Sequence, residues 1–113
     1  MQDLKIAFII LPLRDNQGRK TTAAHDALRT AVLDNYGGYT QTLVTGVWRD
    51  EDGVVVFHDD SLKYEIAMDT GVGAGKTLVA IAAQACRDAD QQCVMVQLAS
   101  GRVSFVKQNG EMS

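Results

Sequence analysis

The order of apolar patterns in this 113-residue chain predicts an α+β fold built as β-α-β-β-α-β. Three observations carry that expectation. Two stretches with helical spacing, ending near Tyr36 and Ala89, each lie between strand-like segments. A charged turn, Asp50-Glu51-Asp52-Gly53, joins two β-rich runs as a hairpin. The length suits one domain, enough to bury about 60–70% of the unfolded chain's surface in a single core.

Leu4–Leu13 reads as the first strand, with Leu4, Ile6, Phe8 and Ile10 on one face and Lys5, Ala7, Ile9 and Leu11 on the other. Both faces turn apolar after Lys5, so the strand is expected to be central and covered on both sides. Pro12 limits the ladder, and Arg14 to Gly18 is a turn by composition. Thr21 or Thr22 is placed to cap a helix running to about Tyr36. Its stripe is Ala24, Ala27, Leu28, Ala31 and Val32, and Gly37-Gly38 ends it. His25 falls off that stripe beside Asp26 and reads as part of a solvated face, because adjacent helical positions do not face each other.

Tyr39–Arg49 is the second strand, and Val54–Phe57 returns antiparallel to it. His58-Asp59-Asp60-Ser61 then interrupts the apolar pattern. Neighbours on an extended strand point to opposite faces, so a bulge or kink is expected there and no metal site. Leu62–Asp69 resumes the alternation and leads into a glycine-rich stretch. In the second helix Leu78, Ile81, Ala82, Ala85 and Ala89 form the buried stripe, widened by Val79, Ala83 and Cys86. Cys93–Leu98 is the last main strand, and Arg102–Val106 can add a short edge strand. Residues 1–106 form the domain; residues 107–113 read as a polar, frayed tail.

This order corresponds to the ferredoxin-like motif, a four-stranded antiparallel sheet with two helices on one face. Ala7, Ile9 and Leu11 are then expected on the face that the helices leave open. An uncovered apolar strip of that kind marks an interface, and a homodimer packed sheet to sheet is the expected assembly.

Lys plus Arg number 11 against 14 Asp plus Glu, for a net charge of −3, and no basic cluster exceeds Arg19-Lys20. That balance argues against nucleic acid as a partner, since neutralising phosphates needs a concentrated positive face. The lead Met-Gln-Asp-Leu-Lys is not cationic, and Ile6–Leu11 is too short for a signal core or a membrane span. A soluble, cytoplasmic protein is expected. Cys86 and Cys93 are too few for a structural zinc site and read as free thiols. No metal or cofactor is expected.

The stretch Thr70 to Thr77 resembles a phosphate loop in part. The pattern G-x-x-x-x-G-K-[ST] turns backbone N–H groups towards phosphates and sets a lysine and a hydroxyl beside them. Gly75, Lys76 and Thr77 match its end, with Gly71 and Gly73 adding flexibility, but Thr70 stands where the first glycine belongs. The chain has room for only two helices, and its later strand ends in Leu98-Ala99-Ser100 without an acidic residue for Mg²⁺. An ordinary strand-to-helix turn is the primary reading. Binding of a small anionic ligand by Gly71, Gly73, Gly75, Lys76 and Thr77 is the alternative.

The run Gly46-Val47-Trp48-Arg49, the charged turn to Gly53 and an acidic residue with Ser61 resemble the central motif of a small bacterial domain family of unknown function. Gln92-Cys93-Val94 and Val103-Ser104-Phe105 are similar to that family's Gln-x-Ser-Val strand and closing Val-Ser-Phe. The chain departs from it in lacking the exported members' signal peptide, in Ala23-Ala24-His25 where they have an aromatic helix start, and in its glycine loop. The family has no established activity, so the resemblance implies none here. Trp48 reads as packing an edge of the sheet, with Gly46 relieving crowding beside it.

No G-x-S-x-G, H-E-x-x-H or Cys/His arrangement occurs, and no catalytic residue is expected. The first functional expectation is therefore a non-catalytic interaction or assembly subunit. A nucleotide- or phosphate-binding module using Gly71–Thr77 comes second. Third is a cofactor-free enzyme of the small-dimer type, with a pocket formed by Trp48, His58 and Tyr64.

Overall fold

The computed structural model describes residues 4–70 and 73–113. Its elements are β1 (Leu4–Pro12), α1 (Thr22–Tyr36), β2 (Thr40–Arg49), β3 (Val56–Asp69), α2 (Ala74–Asp88), β4 (Cys93–Gln97) and β5 (Val103–Lys107). The strands form one sheet in the order β2-β3-β1-β4-β5, every neighbouring pair antiparallel. The expected four-stranded ferredoxin-like sheet is corrected by that fifth strand. A turn closed by Leu98 and Arg102 brings β5 back onto β4, so β1 lies in the middle of five strands. Ser104 and Val106 alternate inwards along β5 and are buried, which gives the short strand its place in the core.

The two faces of β1 are the reverse of those expected. Ala7, Ile9 and Leu11 are 0% exposed, packed with Tyr64, Ile66 and Met68 of β3 beneath the helices. Leu4 and Ile6, on the other parity, are half exposed. Both parities of β1 are apolar, so alternation alone could not orient the strand. Its neighbour does. Ile9 lies opposite Tyr64 and Ala7 opposite Ile66, whereas Phe8 meets Glu65 and Ile10 meets Lys63. Burying the Glu65 and Lys63 charges under the helices would carry a large desolvation cost. Ala7, Ile9 and Leu11 are therefore core and cannot form the expected interface.

Both helices cover the inner face, α1 towards β3 and α2 towards β4 and β5. In α1 the buried positions are Ala24, His25, Leu28 and Val32. His25 thus belongs to the buried stripe and Ala27 lies outside it, a correction of the solvated position expected for the histidine. Thr21 occupies the N-cap without a side-chain cap bond; its hydroxyl donates to the Pro12 carbonyl at 2.6 Å and ties the helix to the end of β1. The α2 stripe of Leu78, Ile81, Ala82, Ala85 and Ala89 is buried as its spacing implied, and Ala83 and Cys86 widen it while Val79 is only partly buried.

β3 is one continuous strand of 14 residues. Its register with β2 runs unbroken from Thr40↔Glu65 to Arg49↔Val56, so His58 to Ser61 form no bulge. The expected kink is absent because polar Thr45 and Trp48 across the pair satisfy the acidic residues. Thr45 Oγ1 donates to Asp60 at 2.9 Å, and the Trp48 indole N–H donates to Asp59 at 2.8 Å. Trp48 also stacks on Phe57, with centroids 4.3 Å apart. A Cβ on Gly46 would meet only Asp59 O, at 3.8 Å, an ordinary contact rather than the crowding expected. The C-terminal residues are likewise ordered against the sheet. Phe105 and Ser113 exchange backbone hydrogen bonds and Lys107 N–H donates to Glu111 O, in place of a frayed tail.

Candidate functional site

The unequal lengths of β2 and β3 create an opening at the sheet edge. β2 begins at Thr40, opposite Glu65, so Ile66–Asp69 of β3 extend past it with no strand on that side among the described residues. The α1–β2 connection crosses this gap. Gly37 closes α1 in the left-handed conformation, φ 81°, and its N–H donates to Leu33 O at 3.0 Å. A side chain is disfavoured in that conformation, and glycine lets the chain turn sharply out of the helix. The result is a cleft of about 410 Å³ lined by Ile6, Tyr36, Gly37, Gly38, Tyr39, Thr40, Glu65 and Ala67.

Its chemistry is that of one carboxylate among aromatic and apolar walls. Glu65 stands between Phe8 and Thr40 on the outer face, and it has no salt-bridge partner among the described residues. Tyr36 is held by a hydrogen bond from its hydroxyl to Ala74 O at 3.1 Å, and burial raises its hydroxyl pKa. The Tyr39 ring stands edge-on to Tyr64, centroids 5.6 Å apart. A volume of this size accommodates a small organic molecule. Aromatic faces and a carboxylate together favour a ligand with a planar ring and a positive charge.

Behind Tyr39 lies a buried polar chain. The Tyr64 hydroxyl meets His25 Nδ1 at 2.5 Å, and His25 Nε2 lies 3.0 Å from Pro12 O. A carbonyl only accepts, so Nε2 carries the proton and Nδ1 accepts from Tyr64. Burial lowers the His25 pKa, with the nearby Arg29 adding to the effect. Burial pushes the Tyr64 hydroxyl up to about 12. A neutral imidazole and a neutral phenol therefore meet here, a structural pair with both histidine nitrogens engaged.

The residues anticipated from sequence do not come together. Trp48 pairs with Phe57 on the outer face, while Tyr64 points to the helix side. His58 shares the parity of Tyr64 but lies six residues away along β3, roughly 20 Å at the strand rise. Trp48, His58 and Tyr64 thus form no common pocket. Gly71 lies outside the described residues. Gly73 is the α2 N-cap, left-handed at φ 91°, and Gly75, Lys76 and Thr77 belong to the helix itself. The Thr77 hydroxyl lies 3.3 Å from Gly73 O, and Gly75 lines a cleft of about 290 Å³ with Met68, Thr70 and Ser100. Among the described residues no group of three or more His, Cys, Asp or Glu side chains is placed to hold a metal ion. No helix among them is long and apolar enough to cross a membrane.

Glu65, Tyr36 and Tyr39 are not legible as a group in the sequence. The one legible signal was a charged residue on an otherwise strand-like run; Tyr36 read as the end of a helix and Tyr39 as the start of a strand.

No protein-family model matches the chain, and no curated protein matches it in sequence. Solved structures do match in fold. A phage SAM lyase in complex with S-methyl-5'-thioadenosine superposes with a TM-score of 0.69 at 15% identity, over 95% of this chain and 92% of that one. A phage SAM lyase in the apo state matches with a TM-score of 0.63 at 16% identity, over 95% and 94%. The shared architecture includes nearly the whole of both chains. The expected assembly subunit pairing through Ala7, Ile9 and Leu11 is corrected, because that strip is core; the solved structures that share the fold are of an enzyme, one of them with a small ligand.

Proposed function

We propose that this protein binds an adenosyl thioether or sulfonium and acts as a lyase on the sulfonium form, with the Glu65 cleft as its site. The observation that supports the reading is the near full-length fold likeness to a SAM lyase that binds S-methyl-5'-thioadenosine. The chemistry of the cleft agrees with such a ligand. Tyr36, Tyr39, Ile6 and Ala67 offer surface for an adenine ring, and Glu65 offers a negative charge for a sulfonium.

Glu65 serves binding rather than lowering the barrier. When the carbon–sulfur bond breaks, its electron pair returns to sulfur and the positive charge disappears. A carboxylate beside sulfur therefore stabilises the ground state more than the transition state. The carbon released from sulfur is made whole within the substrate, by capture by the substrate's own carboxylate or by loss of an adjacent proton to solvent, with no water or redox partner consumed.

The test is to incubate the protein with SAM and follow S-methyl-5'-thioadenosine by chromatography, alongside calorimetric titration with each compound. Release of the thioether is expected. Glu65→Gln is expected to weaken SAM about tenfold, equivalent to about 1.4 kcal/mol, while binding of the uncharged thioether stays nearly unchanged. Absence of both release and binding would overturn the reading.

A further inference from the structure

We infer that a second cleft, on the helix side of the sheet, is a binding site for a phosphate monoester. It lies between the β1–α1 loop, the start of α1 and β3, with a volume of about 280 Å³. Arg14, Lys20 and Arg29 line it, and among the described residues no acidic side chain does.

Arg14 and Lys20 are held as partners in an isolated antiparallel bridge. That pairing sets both side chains on one side of the loop, where like charges directly opposite destabilise the pair. Local acids do not relieve it. Asp15 turns to Arg19 at 2.8 Å, and Asp26 turns to Arg29 at 2.9 Å. Arg14 Nη1 donates to Gly18 O at 2.9 Å, which fixes the guanidinium while leaving most of its N–H donors unspent. Among the described residues no acid pairs with Arg14 or Lys20, so two positive charges face a cavity that one ligand can fill.

Charge matching selects the ligand class. A monocarboxylate would neutralise only one of the two cations, whereas a phosphate monoester carries about −1.5 to −2 at neutral pH. Arginine and lysine are suited to its oxygens. Leu13 and Leu62 supply an apolar wall for the organic part, so an ester fits better than the bare ion. The neutral His25 ring, with both nitrogens bonded, is a wall and not a ligand group. This site is separate from the Glu65 cleft, whose positive ligand these cations would repel.

The experiment is amide-resolved NMR titration at constant ionic strength with phenyl phosphate, benzoate and inorganic phosphate. Phenyl phosphate is expected to shift the amides of Arg14, Lys20, Thr22 and Arg29 saturably at millimolar concentration. Benzoate and inorganic phosphate are expected to bind at least several-fold more weakly. In Arg14→Gln/Lys20→Gln, exchanges at exposed positions, the dissociation constant should rise at least tenfold. Absence of saturable shifts, equal binding of benzoate, or unchanged affinity in the double variant would overturn the inference. Glu65→Gln should leave this titration unaltered, so the two sites succeed or fail independently.

Discussion

The Tyr64 hydroxyl donates its proton to His25 Nδ1 across 2.5 Å, joining the middle of the sheet to the first turns of α1. Tyr64 is fully buried and His25 is 3% exposed, so water does not replace either partner. The same histidine secures the Pro12 carbonyl through Nε2. One side chain therefore holds β1, β3 and α1 in register with one another.

Tyr64→Phe should be destabilising by about 1–3 kcal/mol, the usual cost of leaving a buried acceptor without its donor. The ring and its edge-on contact with Tyr39 would remain, so the loss isolates the hydroxyl. Urea unfolding of the two proteins measures it. An unchanged midpoint would show that the hydrogen bond contributes nothing net.

The same pair gives stability a pH dependence. The His25 pKa is lowered in the folded state, mainly by burial, from an ordinary value of 6.5. The unfolded chain then binds more protons between the folded value and 6.5, and stability rises with pH across that window. His25 contributes its full stabilisation above about pH 6.5 and loses it as the pH falls through the lowered folded value. Thermal midpoints between pH 5 and 8 should decline on the acid side, and His25→Gln should flatten that decline. An equal slope in the variant would assign the acid sensitivity to other groups.

The orientation of β1 is open to a direct comparison. Ile9→Ala removes a side chain with no exposure and should cost about 2–5 kcal/mol. Ile6→Ala acts on a half-exposed residue and should cost no more than about 1 kcal/mol. Denaturant midpoints of the two variants decide it. Equal losses would mean that the outer face is also covered in solution.

Much of the fold was legible because it rests on local periodicity. The α2 stripe, the end of α1 at Gly37, the hairpin at Asp50–Gly53 and the element order all follow from spacing and turn chemistry. β1 could not be oriented that way, since Ala7, Ile9 and Leu11 and their neighbours are apolar on both parities. Only pairing with Glu65 and Lys63 on one face and Tyr64 and Ile66 on the other chose the side that the helices cover. His25 is the same case in a helix: off the apolar stripe and beside Asp26 it reads as solvated, and a phenol 39 residues away made burial acceptable. The Glu65 cleft arises from a mismatch in strand length and from a connection that crosses it. Neither leaves a mark in any short stretch of sequence. The elements could be read from the chain alone, because their causes lie within a few residues. The faces, the place of the fifth strand in the core and the sites came from the tertiary structure, because those depend on partners distant in the chain.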